Sequence, residues 1–137
     1  MKYFFPLILS FLFFTSSCFS QVSWYIGKSR SYILEKYSDA KIKSSSPESI
    51  DFEFSPTTDV RYHFDSYGLC KFVLITIQND ETSKNAILEM LKENCTMSFD
   101  KDTNSGVYTC QNEYVYMKDM SAMGFFSFYI SSEPPRD

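Results

Sequence analysis

The chain has 137 residues and a formal charge of −4, with 18% aromatic and 22% charged side chains. That length supports one domain. A mildly acidic balance without a run of Lys or Arg argues against nucleic acid, whose affinity rests on basic groups neutralising phosphates.

Met1-Lys2 is a short basic start, Tyr3 to Phe14 is almost unbroken apolar sequence, and Thr15, Ser16 and Ser17 are small. Basic, apolar and small segments in that order read as a secretory signal peptide. The apolar run is about a dozen residues, short of the roughly 20 needed to span a bilayer. Two processing outcomes stay open. Cleavage between Ser20 and Gln21 would leave a soluble exported protein, secreted or periplasmic. Alternatively, Thr15-Ser16-Ser17-Cys18 resembles a bacterial lipobox, and lipidation of Cys18 would anchor the protein on a membrane. Membrane association is expected only in that second case. Loss of Met1–Ser20 takes Lys2 with it and moves the formal charge to −5, 12 basic against 17 acidic.

The expected elements fall in the same order twice. Ser29 is placed to cap a helix over about 29–38, with Ile33, Leu34 and Tyr37 as its apolar stripe. Ser44-Ser45-Ser46-Pro47 breaks the chain, and strands follow at Ile50–Phe54, Val60–Phe64 and Leu69–Ile77. Phe52 and Phe54, then Val60, Tyr62 and Phe64, alternate with polar neighbours, the period of a strand with one covered face. Asp65-Ser66-Tyr67-Gly68 is a hairpin turn. Leu69–Ile77 is apolar on both faces, which predicts a central strand. In the second half Thr82 or Ser83 caps a helix over about 82–94, with Ile87, Leu88 and Leu91 inward and Lys84, Glu89, Lys92 and Glu93 in water. Asp102-Thr103-Asn104-Ser105-Gly106 is the corresponding break, and strands are expected at Val107–Gln111, Tyr114–Lys118 and Gly124–Ser131. Residues 132–137 read as a disordered polar tail, since its two prolines lack strand donors.

Laying the chain over itself without gaps, Ser29 on Ser83, superposes Ile33-Leu34-Glu35 on Ile87-Leu88-Glu89, Tyr62 on Tyr116, Asp65 on Asp119 and Phe72 on Phe126. The expectation is therefore an α+β domain over 21–131, a tandem α-β-β-β repeat with halves at about 24–78 and 79–131. It would have a mainly antiparallel sheet of about six strands and two helices on one face. Tyr62-x-Phe64-Asp65-x-x-Gly68-Leu69, after the Ile26-Gly27-Lys28-Ser29 helix start, resembles the repeat of small exported bacterial proteins. These are the SmpA/OmlA-type outer-membrane lipoproteins and the β-lactamase-inhibitor-like domains. The second half departs from that pattern, with Ala122 where the turn glycine belongs. The resemblance implies a binding or assembly module without catalysis and transfers no functional residue.

Little in the chain carries chemistry. His63, the single histidine, lies on a strand with no G-x-S-x-G elbow and no Cys–His spacing to make it a general base. Three cysteines follow Cys18. Cys95 and Cys110 bound a short stretch of chain and suit a disulfide, which would leave Cys70 as a buried thiol. There is no Cys-x-x-Cys, so no metal site is expected. Asp51/Glu53 and Asp80/Glu81 read as solvated acids rather than calcium or glycosidase carboxylates. The Asp100–Gly106 stretch lacks the distal glutamate of a calcium loop. Asn94-Cys95-Thr96 fits the glycosylation triplet, which matters only in a glycosylating host.

The second-half aromatics exceed what one covered face requires. Tyr108, Tyr114, Tyr116 and Tyr129, with Phe125, are therefore read as lining the face opposite the helices, and Tyr114, Tyr116, Phe125 and Tyr129 are the candidate interaction surface. The leading functional expectation is an exported, non-enzymatic binding domain without cofactor, whose partner is a protein or cell-envelope component. A secreted hydrolase or enzyme accessory with an unrecognised site is the alternative.

Overall fold

The computed structural model describes residues 24–100 and 105–134, and Cys18, Ser20 and Gln21 lie outside them. A short helix, α1 (Arg30–Lys36), precedes four strands: β1 (Lys41–Ser45), β2 (Ser49–Ser55), β3 (Thr58–Phe64) and β4 (Cys70–Gln78). A longer helix, α2 (Glu81–Asn94), precedes four more: β5 (Thr96–Asp100), β6 (Ser105–Cys110), β7 (Glu113–Met120) and β8 (Phe125–Ser131). The strands form one sheet in the order β1-β2-β3-β4-β8-β7-β6-β5, and every pairing is antiparallel. No helix among the described residues is long and apolar enough to cross a membrane.

The class is thus α+β with an antiparallel sheet, but it has eight strands where six were expected. The two missed strands are β1 and β5, one at each edge of the sheet. Every residue of β1 is exposed. A strand hydrogen-bonded to one neighbour and burying no side chain has no need of a period-two pattern, so hydrophobic periodicity cannot reveal it. Ser44 and Ser45, expected in a break, pair with Asp51 and Ile50 instead. Ser105 and Gly106, expected in the second break, open β6 and pair with Asp100 and Phe99.

Local chemistry sets the ends of the elements. Ser29 is extended, and its hydroxyl accepts from the Tyr32 backbone N–H at 3.2 Å, capping α1 as expected. For α2 the cap is Asp80 rather than Thr82 or Ser83. Its carboxylate accepts from the Ser83 backbone N–H at 3.0 Å, the Ser83 hydroxyl at 2.6 Å and the Thr57 hydroxyl at 2.7 Å. These bonds hold its pKa below the ordinary value, the Ser83 hydroxyl contributing most. A carboxylate reaching several donors outcompetes a hydroxyl for the helix N-terminus.

In the β3–β4 turn Asp65 Oδ1 accepts from Tyr67 N and Leu69 N, and Gly68 takes a left-handed φ of 74°. The β7–β8 connection is a 3₁₀ turn, Ser121–Met123, closed by Gly124 at φ 85°. The turn glycine that seemed replaced by Ala122 is therefore present two positions later. A Cβ there would stand 3.3 Å from Asn79 Oδ1, in a backbone conformation that side chains resist.

Both helices lie on one face of the sheet. Along the strand register Ile50, Tyr62, Val73, Ile130, Val115 and Tyr108 form a row across six strands, and all are buried. Phe52, Val60, Ile75, Phe128 and Ile77 extend it, and Ile33 of α1 and Leu91 of α2 close over it with no exposed surface. Tyr37, the C-cap of α1, packs edge-on against Phe54 at 5.1 Å and contacts Phe52 and Tyr62. The Tyr62 hydroxyl donates to that of Tyr37 at 3.0 Å. Burial raises the pKa of both phenols, so they stay neutral donors. Lys84, expected in water, instead sets its ammonium 4.1 Å from the Phe126 ring centroid, with 17% of its side chain exposed. Its stem covers apolar sheet while the charge reaches Glu81 at 2.7 Å.

Candidate functional site

Among the described residues, the opposite face of the sheet carries no helix. Successive strand residues point to opposite sides, so the partners of the buried rows define what this face presents. One row reads Ser49, His63, Phe72, Ser131, Tyr114 and Thr109; the next reads Asp51, Arg61, Leu74, Tyr129, Tyr116 and Val107. Tyr114, Tyr116, Phe125 and Tyr129 all lie on this uncovered side, where the aromatic excess had placed them, but Tyr108, expected with them, alternates to the helix-covered side and is buried opposite Val115. Tyr129 is 37% exposed, and the other three are half-buried.

The rings are organised among themselves. His63 stacks on Phe72 at 4.2 Å and 19°, Phe72 meets Tyr129 at 4.9 Å, and Tyr129 meets Tyr116 at 5.8 Å. A ribbon of four rings thus crosses β3, β4, β8 and β7. Phe72 and His63 complete it, and the excess of second-half aromatics gave no hint of either. The signal was available in β4, whose two-sided apolar sequence puts Phe72 and Leu74 on the face opposite Val73, Ile75 and Ile77. Burial, then the Arg61 charge, lowers the His63 pKa, so the imidazole lies neutral against Phe72 at pH 7.

At one end the C-terminal segment folds back. The Tyr116 hydroxyl donates to the Glu133 carbonyl at 3.2 Å, and Glu133 N donates to the Ser131 hydroxyl at 3.1 Å. Ser131 is 5% exposed despite standing on the side without helices.

Ion pairs border the ribbon on the β1–β3 side. Arg61 meets Asp51 at 2.9 Å, Lys41 meets Glu53 at 2.9 Å, and Lys43 meets Asp59 at 2.7 Å. Asp51 and Glu53 are therefore structural cross-strand partners, and Asp80 and Glu81 serve the start of α2. Among the described residues no group of three His, Cys, Asp or Glu side chains is placed to hold a metal ion. The Lys101–Asn104 part of the calcium-like loop lies outside the described residues.

Cys95 and Cys110 form a disulfide with a Cα–Cα distance of 4.5 Å, joining the end of α2 to the end of β6. Cys70 is free and buried, and burial pushes its thiol up to about 12, away from a reactive thiolate. The Asn94 amide of the glycosylation triplet donates to the Met90 carbonyl at 2.8 Å.

No family model, no curated protein and no solved structure matches the chain.

Proposed function

We propose that this is an exported, non-enzymatic binding domain whose working surface is the ring ribbon on the open sheet face, and whose partner is a protein. The observation that carries this is the chain of contacts His63–Phe72–Tyr129–Tyr116 on a sheet side without helices. A sugar or a nucleobase binds an aromatic platform through the ring face. Here the closest contacts turn ring faces toward one another, leaving edges and the Tyr129 hydroxyl outward while the Tyr116 hydroxyl is taken by the Glu133 carbonyl. Edges and hydroxyls suit the mixed apolar and hydrogen-bonding surface of a protein partner. Mutual stacking also holds the rings before binding, which lowers the ordering cost. The bordering ion pairs resemble the polar rim around aromatic anchors in such interfaces.

The proposed ancestry is a tandem repeat, each unit one helix and four strands rather than three. The alignment of Ser29 with Ser83 carries 41–45 onto 95–99, against β5 at Thr96–Asp100, and 70–78 onto 124–132, against β8 at Phe125–Ser131. The two strands without a sequence pattern are thus counterparts, and the central pair β4 and β8 are counterparts also. This arrangement supports kinship with the exported α-β repeat proteins, while export rests on the basic, apolar and small order of Met1–Ser20.

The test compares immobilised wild type with Tyr129→Ser and with Tyr67→Ser, whose ring is 86% exposed on the β3–β4 turn. Wild type and Tyr67→Ser should retain the same stoichiometric partner from the native envelope or medium fraction. Tyr129→Ser should lose tenfold or more in affinity, at a stability cost of about 1 kcal/mol for its ring contacts. Equal retention by all three proteins refutes the site.

A further inference from the structure

Glu113 opens β7 on the helix-covered side, the side that Val115 shares. Its carboxylate accepts the backbone N–H of Trp24. Among the described residues its side-chain oxygen Oε2 is buried with no hydrogen-bond partner, and so is the indole Nε1 of Trp24. Trp24 begins a segment strapped across the start of β4. Lys28 N donates to the Tyr25 carbonyl at 3.1 Å, Gly27 N to the Cys70 carbonyl at 2.7 Å, and Cys70 N to the Lys28 carbonyl at 2.8 Å. Trp24 and Cys70 belong to one core cluster, at 6% and 2% exposure.

We propose that Glu113 is a pH-operated latch on the Trp24–Lys28 strap, holding Trp24 docked while the carboxyl is neutral and releasing it on ionisation. A neutral carboxyl tolerates apolar surroundings with one donor. A carboxylate demands several, and one unsatisfied in the interior is expensive.

Among the described residues, the surroundings offer it nothing else. Cys110, opposite on β6, is locked in the disulfide and does not titrate. Cys70 on β4 stays a neutral thiol, through burial first and then the influence of Glu113 itself and of Asp65 in the adjoining turn. Lys28 on the strap turns its ammonium to the Tyr32 ring at 5.3 Å. The remaining source of donors is water. Its route is displacement of the strap, because β6 and β7 are held by a full ladder and Trp24 stands outside any strand. Burial raises the Glu113 pKa to about 7, opposed by the Trp24 amide, which sets the window for release.

Trp24 is the single tryptophan of the chain, so its fluorescence reports the latch without background. The whole protein is titrated from about pH 5 to 9, the window that brackets the raised carboxyl, with acrylamide quenching and far-ultraviolet circular dichroism in parallel. The expected result is a red shift and a several-fold rise in quenching with a midpoint near 7, at unchanged circular dichroism. Glu113→Gln should keep the docked signal throughout. An unshifted wild type, an equal midpoint in Glu113→Gln, or loss of the sheet at that midpoint overturns the proposal. Should Glu113→Gln fail to fold, alkylation of Cys70 in the wild type decides. A rate per thiolate that climbs through the same midpoint supports the latch, and one that follows the thiolate fraction alone overturns it.

Discussion

Replacing both Cys95 and Cys110 with alanine removes the one covalent tie among the described residues. The bridge spans a sequence separation of 15 and encloses the β5–β6 hairpin. In the chain-entropy account a loop of that length stabilises by about 3 kcal/mol, by restricting the denatured chain. For a domain of this size, about 4 °C per kcal/mol then gives a midpoint loss on the order of 10 °C. The position argues that most of this is realised. β5 is an edge strand whose one ladder is to β6, and the bridge fastens α2 to the end of that same strand. Urea denaturation of oxidised wild type, reduced wild type and the double alanine variant is the assay. Reduced wild type keeps both sulfurs, so its difference from oxidised wild type isolates the chain constraint from packing. Both open forms should lose about 3 kcal/mol, with a slightly larger denaturant slope because their unfolded chains expose more surface. A loss below about 1 kcal/mol in reduced wild type would refute the reasoning and show that the α2–β5 corner holds without the bridge.

Other expectations follow from single contacts. Phe128→Ala, at a fully buried position on the central strand β8, should cost about 3–5 kcal/mol in the same denaturation assay. Asp80→Ala should cost about 1 kcal/mol by removing the α2 cap. Because the folded-state pKa of Asp80 is depressed, its contribution is present above the unfolded value of 3.8 and is lost as the pH falls through the lower folded value. Glu113 has the opposite sign. Its folded pKa of about 7 stands above the ordinary 4.5, so its contribution is fully present below about 4.5 and is lost as the pH rises through about 7. Discounted for partial solvation of the side chain, the loss is about 1–2 kcal/mol, and it should vanish from the stability–pH profile of Glu113→Gln.

What was legible in the sequence was whatever a periodic pattern or a turn residue encodes locally. Strands β2, β3, β4, β6, β7 and β8 have a buried face, and burial writes alternation into the residues. Ser29 and the Asp65–Gly68 turn act on their immediate neighbours in the chain, so their roles could be read in place. The Cys95–Cys110 bridge was legible because the short loop limited the choices. Tertiary structure decided the rest. Edge strands β1 and β5 owe their conformation to a neighbour's backbone donors and acceptors, which are the same for every residue type and leave no trace in composition. The joining of β4 to β8, with Val73 against Ile130 and Ile77 against Phe126, follows from closing one core over both halves, and it alone brings Phe72 beside Tyr129. The unusual carboxyl of Glu113 is likewise a product of packing. Glutamate at the mouth of a hairpin reads as solvated, and only the arrival of Trp24, from far upstream in the chain, removes its water.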